Sequence, residues 1–186
     1  MHVVCIGGRA RHGKDTLANF LKTHLESEGK RVVILHYADQ LKFFCAQYFG
    51  WNGEKDSAGR SILQYVGTDY ARQRDPDIWV RYVAMFLRMF GDMFDCAIIA
   101  DCRFPNEIEW VYGEHDCTSI YIYRENFDNG LSEEQKSHPS ETSLDDYYFD
   151  VTVLNDRGLD ELEVIAQGIA IYILSKFDTE LKEVIE

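Results

Sequence analysis

HVVCIGGRARHGKDTLANFLKTHLESEG, residues 2–29, decides the fold. Residues 3–6 are a short apolar run closed by Gly7 and Gly8, the form of a strand buried on both faces of a parallel sheet. From 14 to 28 the period lengthens, so that Leu17, Phe20, Leu21, His24 and Leu25 share one helical face, and Gly29 ends the pattern. Between the two lies Gly8-Arg9-Ala10-Arg11-His12-Gly13-Lys14-Asp15-Thr16, a match to G-x-x-x-x-G-K with Asp where Ser or Thr usually follows. A strand before and a helix after give that spacing its physical meaning. Glycines let the backbone curl until successive N–H groups converge on phosphate oxygens, the helix N-terminus adds partial positive charge, and Lys14 reaches the β- and γ-phosphates. The alternative is a tight glycine turn with a capping Asp-Thr pair.

Asp15 is the departure from the usual pattern. The missing hydroxyl ordinarily ligates Mg²⁺. A carboxylate there holds the ion through water, orients an acceptor phosphate, or is an ordinary acid favoured by the helix dipole. Thr16, one residue on, can still hydrogen-bond the α-phosphate.

Outward from this segment, strand and helix periods alternate. Residues 31–37 (RVVILHY), 97–100 (AIIA), 119–123 (SIYIY) and 151–154 read as further strands. Helical patterns cover 41–49, 57–74, a stretch opened by Pro76 that carries Trp79, Val83, Phe86, Leu87 and Phe90, 105–112, and 159–177. This predicts an α/β three-layer sandwich around a parallel five-stranded sheet, in one domain of residues 1–186. A helical insertion is expected over about 39–92. Residues 124–149 are polar and without period, the length of a lid or binding loop or of a plain surface excursion. The acidic end, 178–186, is expected to fray.

Composition narrows the function. With 32 Asp+Glu against 19 Lys+Arg the formal charge is −13, which repels nucleic-acid backbones. Twelve of the acids but only three bases fall in 141–186, leaving room for a local anion site upstream. Five cysteines without a CxxC pair fit a reducing cytosol rather than a disulfide framework. The apolar run 169–174 is too short to span a bilayer, so a cytoplasmic protein is expected.

Three further segments carry chemistry. Asp101 and Arg103 follow the strand 97–100, and ligands of open parallel sheets bind beyond the carboxyl ends of strands. Asp101 is placed as a Walker-B-like Mg²⁺ or water-network residue, or as a cap for the helix after Phe104. Arg72 and Arg74, in the charged bend 64–80, can grip a monophosphate with guanidinium forks or stand solvated at a helix end. Trp79 reads as core or wall before base-stacking. Arg124, Lys136 and His138 precede Ser140-Glu141, where a cation on a mobile loop can close on a transferring group.

Together these segments resemble the deoxynucleoside monophosphate kinases of tailed bacteriophages. The matching pieces are GRARHGKDT at 8–16 with Arg11 before the second glycine, L-Q-x-x-G-T-D at 63–69 with Arg72 and Trp79, D-x-R-F-P-N-E at 101–107, and H-P-S-E at 138–141. The resemblance implies a P-loop NTPase fold of the nucleoside monophosphate kinase type, with acceptor-binding helices and a lid. It implies transfer of the ATP γ-phosphoryl group to a deoxynucleoside 5′-monophosphate with Mg²⁺, and a homodimer. On it, Arg11, Gly13, Lys14, Asp15 and Thr16 hold ATP, with Asp15, Thr16 and Asp101 towards the metal. Arg72, Trp79, Asp101, Arg103 and Glu141 serve the acceptor. Lys14, Asp15, Arg103 and Arg124 carry the transfer. Ala10 departs from relatives that have a cation beside Arg11. The rival readings are a kinase resembling those of dephospho-coenzyme A or phosphomevalonate, and a nucleotide-binding sensor with little turnover. Against a GTPase, only Asn155-Asp156-Arg157-Gly158 stands where N-K-x-D would be expected.

Overall fold

Side chains of a strand alternate between faces, and the five apolar runs use that alternation to fill two cores. The computed structural model describes residues 1–183, with side chains through residue 177. Its strands are β1 (His2–Gly7), β2 (Val32–Leu35), β3 (Cys96–Cys102), β4 (Asp116–Tyr123) and β5 (Val151–Leu154). They form one parallel sheet in the order β2-β3-β1-β4-β5. Val4, Ile6, Ile98, Ala100, Ile120 and Ile122 point to one face, against α1 (Lys14–Ser27) and α8 (Leu159–Glu183). Val3, Cys5, Ala97, Ile99 and Cys102 point to the other, against α2 (Ala38–Tyr48), α4 (Ile78–Phe90) and α5 (Asn106–Glu114). The result is the expected three-layer α/β sandwich. In α1, Leu17, Leu21 and Leu25 are wholly buried, each contributing roughly 2 kcal/mol of apolar burial.

Where the elements differ from their sequence patterns, a distant group is the cause. Helix α2 starts three residues early because the Asp101 carboxylate, at the end of β3, accepts hydrogen bonds from the Tyr37 and Ala38 N–H groups at 2.7 and 3.0 Å. That also corrects the sequence alternative for Asp101: it caps α2 and not the helix after Phe104, whose N-cap, Pro105, receives no side-chain bond, while Glu107 holds the turn before it by accepting from the Arg103 and Phe104 N–H groups. Helix α3 (Ser57–Gln64) opens on Asp56, which accepts from Gly59 N–H, and then widens into a π-helical stretch, Tyr65–Arg72. Such widening is frequent at functional sites; here it leaves the Gly67 carbonyl to accept from Trp79 Nε1 at 3.0 Å. Pro76 lies in the turn before α4.

The segment 124–149 contains two short helices, α6 (Glu133–Ser137) and α7 (Pro139–Thr142). Ser132 and Gln135 form a reciprocal capping box at the start of α6. All five cysteines are free. Among the described residues no helix is long and apolar enough to cross a membrane. The fraying expected of 178–186 concerns side chains, and from 184 a backbone, outside the described residues.

The glycine loop after β1 is seated directly on β4. Gly8 has φ +142, and a Cβ there would be driven into the Ile122 carbonyl oxygen. Gly8→Ala is therefore expected to cost at least about 2 kcal/mol from backbone strain and displacement, lowering Tm by about 4–8 °C in a chain of this size. A thermal melt that matches wild type would show that the loop does not need this close approach.

Candidate active site

The carboxyl ends of β1, β2 and β3 open into a cavity of about 510 Å³. Its floor is the glycine loop, one wall is α2 with α3 and the π-helical stretch, and its roof is part of 124–149. Seven cationic side chains line it, from Arg11, Lys14, Lys42, Lys55, Arg60, Arg72 and Arg103, against four carboxylates from Asp15, Asp101, Glu107 and Glu141. In a chain of net charge −13 this is a concentrated reversal of sign.

Lys14 is 8% exposed and donates to the Gly8 and Arg9 carbonyls at 2.7 and 2.8 Å. Burial, then the nearby Arg103 charge, push its ammonium down to about 7. Gly13 takes φ +102 at the start of α1, and Asn155, after β5, donates to the adjacent His12 carbonyl, pinning the loop. The Asp15 carboxylate accepts from His36 Nε2 at 2.9 Å, while His36 Nδ1 lies 3.5 Å from Asp39. Hydrogen bonding to Asp15 raises the imidazole pKa, and the same bond lowers that of Asp15. Thr16 is half-buried in the first turn of α1 and does not contribute to the cavity lining.

On the opposite wall Arg72 lies over the Phe104 ring, 4.2 Å from its centroid, donates to the Pro76 carbonyl and pairs with Glu107. Glu107 is 1% exposed. Its Oε2 accepts from the Arg103 and Phe104 N–H groups at 2.6 and 3.1 Å, so one carboxylate ties the turn between β3 and α5 and aims Arg72. Burial raises its pKa to about 7 against the pull of Arg72 and those donors. Arg103 Nη1 donates to Glu141 at 2.8 Å and to the Ser140 carbonyl at 3.2 Å. Trp79 is a buried wall residue, its indole N–H committed to Gly67.

The structure thus brings Arg11, Lys14, Asp15, Arg72, Trp79, Asp101, Arg103 and Glu141 to one cavity. Others are elsewhere. Arg74 stacks on Tyr70, 3.7 Å from the ring centroid, and donates to its carbonyl. Arg124 lines a second cavity of about 440 Å³ with Arg9, His12 and Lys136, and lies over the Phe127 ring at 3.9 Å. His138 binds Asp69 and Ser140. Sequence reasoning did not single out His36, Lys55, Arg60 or Glu107. Glu107 stood inside the D-x-R-F-P-N-E stretch, so its signal was present. Lys55 and Arg60 carry no local signal, and only the packing of α3 brings them in. Burial lowers the Arg60 pKa, with Arg11 and Arg103 adding repulsion.

A glycine loop between β1 and α1 under a cationic cavity, in a five-stranded parallel sandwich, defines a P-loop kinase. The fold is similar to that of the APS kinase CysC of Mycobacterium tuberculosis in complex with AMPPNP and APS. The two share 13% identity and a TM-score of 0.52 over 94% of this chain and 97% of that one. It is also similar to an unliganded sugar kinase from Janibacter sp. HTCC2649, at 12% identity and TM-score 0.50 over 89% and 91%. No curated protein matches the chain in sequence. The model of the deoxynucleotide monophosphate kinase family matches residues 26–165, and the chain belongs to that family. It is an ATP-dependent phosphotransferase acting on a small molecule, which sets aside the sensor reading. The match begins beyond 8–16, so the phosphate loop is read from its own geometry.

The Glu107 carboxyl gives a pH dependence. As pH falls through about 7 it takes up a proton and its charge-assisted hold on Arg72 weakens, so that an anion gripped by Arg72 is expected to bind less tightly, read as a rise in the KM for the phosphoryl acceptor. In Glu107→Gln the KM is expected to be higher by about tenfold or more, the equivalent of about 1.5 kcal/mol for one charge-assisted hydrogen bond, and this step in the pH profile disappears. A step persisting in the variant would belong to the acceptor phosphate itself.

Proposed function

We propose that the protein transfers the ATP γ-phosphoryl group to a deoxynucleoside 5′-monophosphate, giving the diphosphate and ADP. The observation that carries this reading is the convergence of seven cations on one cavity between the glycine loop and the α2–α4 wall. Its volume and the apolar and aromatic surfaces of Leu41, Leu63, Trp79 and Phe104 suit a nucleoside monophosphate, and the family description names that acceptor class.

The chemistry demands little of the protein beyond placement and charge. A monophosphate has its second pKa near ~6, so the attacking oxygen is already anionic at neutral pH and no general base is required. Two polyanions must be held in line and their repulsion offset. In this reading Lys14 and the loop N–H groups hold the donor phosphates, and Arg11 and Arg103 stand between donor and acceptor. Arg72, fixed by Glu107, holds the acceptor phosphate. Arg124 acts from the second cavity, on the donor side of the lid.

Mg²⁺ fits the residues present. Among the described residues no group of three or more His, Cys, Asp or Glu side chains forms a metal site, and Mg²⁺ on nucleotides is normally held by one or two carboxylates plus phosphate oxygens. Asp15 and Asp101 both line the cavity, with Thr16 next to Asp15. Each Asp101 oxygen accepts one α2 N–H and retains a lone pair. Bound Mg²⁺ would neutralise charge on the phosphates.

The test is ADP release from Mg-ATP with each deoxy- and ribonucleoside monophosphate supplied separately. Turnover with one or more deoxynucleotides is expected. Lys14→Ala should lower kcat by more than about 100-fold, the scale of losing a preorganised charge at the transferring group. Arg72→Ala should raise the acceptor KM while leaving ATP binding intact. Absence of acceptor-dependent ADP release with every nucleotide would overturn the proposal.

A further inference from the structure

Three consecutive residues of the phosphate loop are fastened to the segment 124–149. Arg9 Nη2 lies 2.7 Å from Asp145, Ala10 N–H donates to Glu141 Oε2 at 2.8 Å, and Arg11 Nη1 donates to the Asn129 carbonyl at 2.8 Å. These contacts are unequal. The Arg9–Asp145 pair is over a third exposed on both sides, and exposed pairs contribute little. The Glu141 side chain is 6% exposed, and its second oxygen accepts from Arg103 Nη1 at 2.8 Å.

A buried carboxylate held by a phosphate-loop N–H and an arginine has the partners that a phosphoryl oxygen would take. Glu141 also lines both cavities and stands where they adjoin. Two anions cannot share those two donors without strong repulsion in a buried site. Glu141 is also not free to shift alone. It lies in α7, whose N-cap His138 is tied to Asp69 on the π-helical stretch and to Ser140.

We propose that Glu141 is an internal competitor of the phosphoryl ligand, occupying the Ala10 N–H and Arg103 donors until a phosphate displaces it. Displacement releases Arg103 towards the substrates and loosens the 124–149 segment from the loop, so that arrival of the phosphate and freeing of the arginine are one event. This rests on the reading of 8–16 as a phosphate loop.

The test is the affinity of the full chain for Mg-ATP, and separately for inorganic pyrophosphate, measured by calorimetry in wild type, Glu141→Gln, Glu141→Ala and Asp145→Asn. Removing the competing charge is expected to tighten binding of both ligands by about tenfold in both Glu141 variants, a coupling of about 1.4 kcal/mol. Asp145→Asn should change affinity less than about twofold, as befits an exposed pair. Thermal melts check that each variant is folded. Equal or weaker binding by folded Glu141 variants would overturn the competitor and make Glu141 a support for Arg103. Binding by none of the four proteins would overturn the phosphate-loop reading and this proposal with it. Binding that responds as expected, in a protein that turns over no deoxynucleotide, would uphold the competitor and overturn only the choice of acceptor.

Discussion

The Glu107 carboxylate joins three parts of the molecule that the chain keeps far apart. From the first turn of α5 it binds the backbone that leaves β3 and the guanidinium at the end of the π-helical stretch, and its own carbonyl accepts the Tyr37 hydroxyl from the start of α2. A buried, charged acceptor is costly unless it is fully partnered, so each donor must be where it is for the others to be tolerated. The turn carrying Asp101 and Arg103, the Arg72 guanidinium in the cavity wall and the entry to α2 therefore form one rigid unit. Asp101 repeats the device by capping α2 from β3. Two carboxylates, one at the end of β3 and one in the first turn of α5, thus position most of the cavity.

The glycine loop faces that unit and is governed by a different constraint, close packing of backbone on backbone. Gly8 rests on the Ile122 carbonyl, and Asn155 holds the loop at His12. The strands either side of the loop's own strand, β3 and β4, thereby supply the acid, the arginine and the seat of the loop. Between the rigid halves the cations are in excess. Lys14, Lys55 and Arg60 all have their charged forms disfavoured by burial, with neighbouring cations adding to it. Such a cluster is stable only beside anions. Part of that demand is met internally by Glu141, and in the proposed reaction the rest is met by the two nucleotides.

Much of this was legible in the chain. The change of period across 2–29 located β1, the loop and α1, and the same alternation located the other four strands, because a buried strand and an amphipathic helix each need a fixed repeat of apolar residues. The boundaries that shifted did so for non-local reasons. Helix α2 begins early because its cap comes from β3, and Pro76 falls outside α4 in a turn whose carbonyl is held by Arg72. The helices within 124–149 were a different omission: the capping box of Ser132 and Gln135 was present in the sequence, but α6 is too short to show a period.

Sequence by itself determined the sandwich, the loop and the residue types able to carry phosphoryl transfer, since these follow from local repeats and a motif whose meaning depends only on the elements beside it. Tertiary structure alone decided which of the arginines serve the cavity. Arg72 and Arg74 are two residues apart, yet one is held by Glu107 within the site and the other is stacked on Tyr70 outside it. Arg124 is carried to a second cavity, and Lys55 and Arg60 are brought in by the packing of α3. The physical reason is that a long cationic side chain takes its place from the carboxylates and rings that surround it in space, and those partners lie tens of residues away along the chain.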